Sequence, residues 1–279
     1  MTSGRPGSDP FTTRTPRVVA ARRLQRRRER TQARRFLAEG PQAVREAGPA
    51  VVELFGTPDA LDRHGELVDS VAARGARVSP VTEEALAALA DTVQPQGLVA
   101  VCAFVDVPLP QALATGPRLV AVLAGIRDPG NAGTVLRTAD AAGAGAVVFA
   151  GDAVDPYNGK CVRASAGSLF HVDVVRAPEP AAVLRALHDA GYTVYAADAH
   201  GALRLDDAAL DGPVAWVFGS EAHGLPADLA GLADAGVRVP IHGRAESLNL
   251  AAAAAVCLYA SAMRSQLFTR PAGGGGRRG

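Results

Sequence analysis

The stretch DPGNAGTVLRTADAAGAGAVVFAGD, residues 128–152, decides how this chain folds. A helix-like apolar run, broken by the single arginine Arg137, lies between two β-like segments, LVAVLAG (119–125) and AVVFAG (146–151). Strand, glycine-bearing turn, helix and strand in that order form the repeating unit of a parallel α/β sheet. Further on, FHVDVV (170–175), YTVYAAD (192–198), VAWVFG (214–219) and VRVPI (237–241) read as strands with helical stretches between them. Near-continuous apolar strands joined by helices predict a mostly parallel sheet covered on both faces. A last helix is expected over 247–266, with five consecutive alanines at 251–255.

Upstream, VVELFG (51–56), ARVSPV (76–81) and GLVAVCAFV (97–105) read as strands. PDALDRHGELVDSVAARG (58–75) reads as one helix, and TEEALAALA as another with Thr82 as its cap. Residues 36–105 therefore form a small α/β unit. The three prolines of DVPLPQALATGP (106–117) mark a linker to a main domain over 118–268, and 269–279 is a flexible tail. Residues 1–16 lack periodicity and are expected to be disordered.

Net charge is only +1, but residues 14–35 hold ten arginines against Glu29 alone, which is +9, leaving −8 for 36–279. A basic arm over 17–35 on a mildly acidic body suggests a polyanionic partner. It reads equally as a solvated tail or as a helix that folds against the body or on RNA. No apolar run approaches the roughly 18 residues of a membrane span. The N-terminus has no apolar leader, so the protein is expected to be cytoplasmic. Cys102, Cys161 and Cys257 stand far apart among apolar neighbours and read as buried small hydrophobes. The six histidines show no metal-ligand spacing, and no metal is expected.

The opening stretch lacks both GxGxxG after its strand and GxxxxGK[ST], which disfavours an NAD-type dehydrogenase or a phosphate-binding loop. Asn131 reads as a helix cap and Gly133 falls in the first turn. Arg137 lies beside Thr134 and Asp140, off the core face of Val135, Leu136, Ala139 and Ala142. That side would look along the C-terminal ends of the strands, where open sheets bind ligands. In VFGSEAHGLP (217–226), Glu221 sits in a loop bounded by Gly219 and Gly224, glycines that would let a ligand approach the backbone. In VPIHGRAESLNLAAAAAVCLYA (239–260), Ser247 and Asn249 stand where the last helix begins, as caps or as ligand-binding groups.

Taken in order, NxGxxxRTA (131–139), GSExxGLP (219–226) and VPI…ESLNLAxAxA (239–255) resemble the three motifs of the SpoU/TrmH family of RNA 2′-O-ribose methyltransferases. FLAEGPQAVREA and TEEALAALADTVQPQGLVAV are similar to the substrate-binding domain that precedes the catalytic domain in many members. The resemblance implies an α/β domain with a C-terminal trefoil knot, a feature that general connection rules would not predict. It implies S-adenosylmethionine as cofactor, held largely by the backbone of Gly219, Val239, Ile241 and Leu248. The product is a 2′-O-methylated RNA, ribosomal RNA ahead of transfer RNA. The alternative is a non-catalytic RNA-binding or ribosome-assembly module of the same fold. Arg137 matches the catalytic arginine, Asn131 orients it or the substrate, Glu221 anchors the loop or Arg137, and Ser247 and Asn249 line the same pocket. Arg163 matches a basic residue of relatives and is expected to touch RNA, as are Arg34 and Arg35 at the end of the basic run. A homodimer is also implied. Leu250 and Ala251 depart from the Val and Ser of many members.

Overall fold

The computed structural model describes residues 9–269. The chain divides into two compact units, Met1–Val105 with Asp155–His171, and Asp106–Val154 with Val172–Gly279.

The first unit runs α1 (Pro16–Arg23), α2 (Arg27–Ala33), β1 (Arg35–Glu39), α3 (Pro41–Ala47), β2 (Val51–Gly56), α4 (Pro58–Arg63), α5 (Gly65–Ala73), β3 (Arg77–Pro80), α6 (Glu83–Leu89) and β4 (Leu98–Ala103). Its sheet has the order β1-β4-β2-β3, with β4 antiparallel to both β1 and β2 and β3 parallel to β2. Thr57 and Thr82 cap α4 and α6 by accepting hydrogen bonds from the backbone N–H of Ala60 and Ala85 at 3.3 and 3.2 Å. The single helix expected over 58–75 is two helices, because the backbone leaves helical geometry at His64 (φ −110°, ψ 33°) just before Gly65, a poor helix former.

Of residues 1–16, expected to be disordered, 9–16 are ordered, and 1–8 lie outside the described residues, as does the expected tail from 270 on. Phe11 donates its N–H to the Pro80 carbonyl at 2.8 Å and accepts from Thr82 N–H at 2.9 Å, extending the sheet beside β3. Val18, Ala21 and Leu24 of the basic run then enter the core with Phe55, Leu86, Leu89 and Val99. The run expected as an arm is therefore two helices seated on the unit. Apolar residues three apart were the signal, masked by the arginines between them.

The second unit begins with α7 (Leu109–Ala114), β5 (Leu119–Ala124), α8 (Pro129–Ala141) and β6 (Ala146–Ala150). The chain then gives residues 155–171, with α9 (Gly159–Ala164) and a 3-10 turn at Ser168–Phe170, to the first unit. It continues through β7 (Asp173–Ala177), α10 (Pro180–Asp189), β8 (Thr193–Ala197), β9 (Leu203–Arg204), β10 (Val214–Phe218), α11 (Ala227–Ala230), β11 (Ala235–Arg238) and α12 (Leu250–Thr269). The seven strands pair all in parallel in the order β7-β6-β5-β10-β8-β11-β9. Every residue of β5, β6 and β10 is buried, as a sheet covered on both faces requires. The proline-rich 106–117 is not a free linker: Pro110 sits in the first turn of α7, Ala112 is buried, and Val107 N–H donates to the Val174 carbonyl at 2.9 Å.

The helix of the opening stretch ends by backbone chemistry. Gly143, at φ +77°, donates to the Asp140 carbonyl at 2.9 Å, and Ala144 donates to the Ala139 carbonyl at 2.8 Å. This paired C-terminal motif needs a left-handed residue, which is why a glycine stands there. All three cysteines are buried and none forms a disulfide, and burial pushes the Cys257 thiol up to about 12. Among the described residues no helix is long and apolar enough to cross a membrane, and no cluster of metal-ligating side chains occurs.

Candidate functional site

The site grows from the start of α8 in the second unit. Pro129 opens the helix and Asp128 caps it, its Oδ1 accepting from Asn131 N–H at 2.8 Å. The cap expected at Asn131 is thus filled three residues earlier. Asn131 lies inside the first turn with its amide free for other partners. Its Nδ2 donates to Glu221 Oε1 at 3.0 Å, and its Oδ1 accepts from Asn249 Nδ2 at 3.4 Å. Asn249 caps α12, its Oδ1 accepting from the N–H groups of Ala251 and Ala252 at 2.9 and 3.4 Å.

These bonds fix both amides. The α12 cap needs an oxygen, so Asn249 must turn its nitrogen toward Asn131. Asn131 must then present its oxygen to Asn249 and its nitrogen to a carboxylate. Three elements distant in sequence are tied at one point: the start of α8, the loop after β10 and the start of α12. Glu221 Oε2 also accepts from Arg127 N–H at 3.5 Å. Partial burial pushes the Glu221 carboxyl up. Hydrogen bonds from Asn131 and from the N–H groups of Glu221, Arg127 and Asp128 outweigh it, and the group settles below its ordinary 4.5.

The loop after β10 is closed by its own backbone. Ser220 N–H donates to the Gly224 carbonyl at 3.0 Å, and Gly224 N–H to the Ser220 carbonyl at 2.9 Å. A Cβ on Gly219 would run into the backbone of Gly224 and Leu225, and Gly224 itself has φ +65°. Both glycines are therefore required by the turn, where the sequence suggested room for a ligand.

Arg137 points outward from α8 two turns after Asn131 and is exposed. Among the described residues it forms no ion pair, and it is bonded neither to Asn131 nor to Glu221. Ser247 is exposed and stands outside the Asn131–Glu221–Asn249 network. Gly219 is buried at the end of β10, Val239 is half-buried just beyond β11, and Ile241 and Leu248 are each 38% exposed. Every residue of 241–249 is exposed. Apolar side chains next to open peptide groups suit a flat heterocycle recognised through its edges, such as an adenine, together with an apolar chain. The residues present thus fit the cofactor that the motifs imply.

Arg127 and Asp128 went unnoticed in the sequence, although an Asp-Pro pair at a helix start is a recognisable capping signal. In the first unit, Arg34 adopts a left-handed backbone (φ 49°), with its guanidinium 5.3 Å from the centre of the Phe104 ring. Arg35 is exposed at the start of β1. Arg163, expected to reach RNA, is half-buried and paired with acids of the same unit: its Nη1 lies 2.8 Å from Asp91 Oδ2 and 3.9 Å from Glu39 Oε2.

Residues 118–259 match the model of the SpoU rRNA Methylase family, and residues 15–100 match the MRM3-like substrate binding domain. The 23S rRNA (guanosine(2553)-2′-O)-methyltransferase RlmP of Bacillus subtilis (strain 168) is 35% identical over 240 residues, 85% of this chain and 92% of its own. The AdoMet-bound rRNA methyltransferase from Sinorhizobium meliloti superposes with a TM-score of 0.80 at 31% identity, covering 91% of this chain and 97% of that one. The SpoU methyltransferase AviRb from Streptomyces viridochromogenes in complex with AdoMet gives 0.80 at 29% identity over 91% of this chain and 100% of that one. Three ordered motifs, a capped network joining them and likeness over nearly the whole length agree, and the chain belongs to the SpoU rRNA methylase family.

Proposed function

We propose that the chain transfers a methyl group from S-adenosylmethionine to a ribose 2′-hydroxyl of RNA, with ribosomal RNA as the substrate. The observation that carries this is the Asn131–Glu221–Asn249 network, which fixes the helix bearing Arg137 against the two loops that carry the other motifs. Relatives named for 23S rRNA and solved with AdoMet support ribosomal RNA over transfer RNA. An rRNA substrate in turn supports a cytoplasmic site of action.

Bound S-adenosylmethionine supplies a methyl already activated on a sulfonium centre, so the protein's task is to hold and polarise the nucleophile. The backbone of Gly219, Val239, Ile241 and Leu248 would hold the cofactor. Arg137 is a poor base, since a guanidinium spreads its charge over three nitrogens and has no lone pair to accept a proton. It acts as a fixed cation that stabilises negative charge building on the 2′-oxygen and holds a neighbouring phosphate. Glu221 and the two asparagines set the start of α8, and hence the direction of Arg137. Ser247 lines the same mouth. Arg34, Arg35 and Arg163 contact RNA, the last from a position set by its ion pair with Asp91.

The C-terminal segment is threaded as a trefoil knot. Support comes from β10 lying between β5 and β8, and from α12 returning to pack on α8, β5 and β10. The active form is a homodimer. Val256, Tyr259 and Met263, spaced three and four apart on α12, are 41, 43 and 60% exposed and make an apolar stripe suited to a second copy.

The test is methyl transfer from labelled cofactor to ribosomal RNA by wild type and Arg137→Ala. A fall of 10²-fold or more with cofactor affinity within about twofold is expected for loss of a preorganised charge. Equal rates would remove Arg137 from the mechanism.

A further inference from the structure

Helices α1 and α2 and the turn between them carry five exposed arginines, Arg22, Arg23, Arg26, Arg27 and Arg28, opposite the side that sends Val18, Ala21 and Leu24 into the core. Three arginines of the same unit pair with acids, Arg17 with Glu53, Arg163 with Asp91 and Arg30 with Asp155, while the exposed Arg35, Arg63, Arg74 and Arg77 are scattered along the chain. The five have no such partner among the described residues, and the only acid of α2 is Glu29. Like charges this close repel, so this arrangement weakens the helices rather than supporting them. Stability does not explain it.

The buried arginine of the same run explains how the group is held. Arg30 Nε and Nη2 donate to Asp155 Oδ2 at 2.9 and 2.7 Å, and Nη1 donates to the carbonyls of Leu24 and Gln25 at 3.0 and 2.9 Å. Those two carbonyls form the corner between α1 and α2. Asp155 Oδ1 accepts from Tyr157 N–H at 3.0 Å, so each charged group of this buried pair is satisfied. The two side chains are only 4 and 6% exposed. The corner is thus stapled from within by a residue of the 155–171 segment, and the five guanidiniums project from a fixed scaffold.

We propose that α1 and α2 form a preorganised phosphate-docking face for the RNA substrate, with Arg22, Arg23, Arg26, Arg27 and Arg28 as its contacts and Arg30 with Asp155 as positioning residues. This rests on the RNA-substrate reading above. The face matches a phosphate backbone by charge, and contacts of that kind contribute affinity and register ahead of sequence choice. Because the scaffold is ordered before binding, little conformational entropy is lost there on docking.

The test uses the full chain and deproteinised ribosomal RNA, with binding measured across a salt series. The variant Arg26→Gln/Arg27→Gln/Arg28→Gln is expected to bind about tenfold or more weakly near physiological salt. Its log–log salt slope should be shallower by about 2 to 3, as each lost phosphate contact removes roughly 0.7–0.9. Cofactor affinity stays as in wild type, which controls for folding. Asp155→Leu should weaken RNA binding and lower Tm together, and adding Arg30→Met should restore both. An unchanged slope in the triple variant would overturn the face, as would tighter binding to anionic lipid vesicles than to RNA. If the triple variant loses RNA affinity while wild type methylates no RNA, the docking face stands and the catalytic assignment fails instead.

Discussion

Asn131 has four hydrogen-bonding positions on its amide, and two of them are committed to Glu221 and Asn249. Asn131→Ala removes the link between three segments at once. It is expected to cost more in methyl-transfer rate than in melting temperature, since the network is exposed at its rim. Glu221 makes a distinct prediction. Its carboxyl is held below 4.5, so the folded state favours the charged form. The resulting stabilisation is complete above the unfolded value near 4.5 and fades as pH falls through the lower folded value. The loop should therefore keep its amide protection down to pH 5 and lose it in more acid solution. Glu221→Gln should show weaker protection at pH 7 and no acid transition of its own. Gly219→Ala is a harsher change, because the new methyl meets backbone, not a side chain that can swing away. Hydrogen–deuterium exchange should report an opened 219–225 loop, with cofactor affinity lost in step.

At the scale of elements, β10 and α12 are joined by one buried bond: Trp216 Nε1 donates to Ser261 Oγ at 2.9 Å. Ser261→Ala leaves a buried N–H without a partner and is expected to destabilise by about 1–3 kcal/mol in urea unfolding. Ser261→Ala also removes the bond from Ser261 Oγ to the Cys257 carbonyl at 3.3 Å, and Trp216→Phe should cost more than Ser261→Ala, because Trp216 is fully buried and the smaller ring leaves a cavity. The same scale shows what the sequence disclosed. The strands of the parallel sheet stood out because burial on both faces makes them continuously apolar, as in LVAVLA and VAWVF. β1, Arg35–Glu39, was missed because one edge-strand face is exposed and its first residue is charged. Two-residue β9 carries no periodicity at all. The start of α6 was legible because Thr82 caps it, and the start of α8 was shifted because Asp128 and Asn131 are both good caps and only the proline between them decides. The network of Asn131, Glu221 and Asn249 is not visible in any one stretch. It depends on which strands become neighbours, and β10 reaches β5 only after some ninety intervening residues.

For the whole molecule, the stripe on α12 makes the association state a direct observable. Tyr259→Glu with Met263→Glu should shift sedimentation toward the monomer and leave the far-ultraviolet spectrum intact, since both side chains are exposed. A variant still sedimenting as wild type would move the interface elsewhere. The split ownership of residues 155–171 has another consequence, for synthesis and for modular exchange. A nascent chain halted after residue 105 lacks Asp155, the counter-charge that Arg30 needs, and must wait some fifty residues for it. Until then Arg30 has no carboxylate to meet it, and the amino-terminal unit cannot close over its side chain. For the same reason, a transplant cut at residue 105 would carry that half away without its keystone, and recombination between relatives should favour crossovers beyond residue 171.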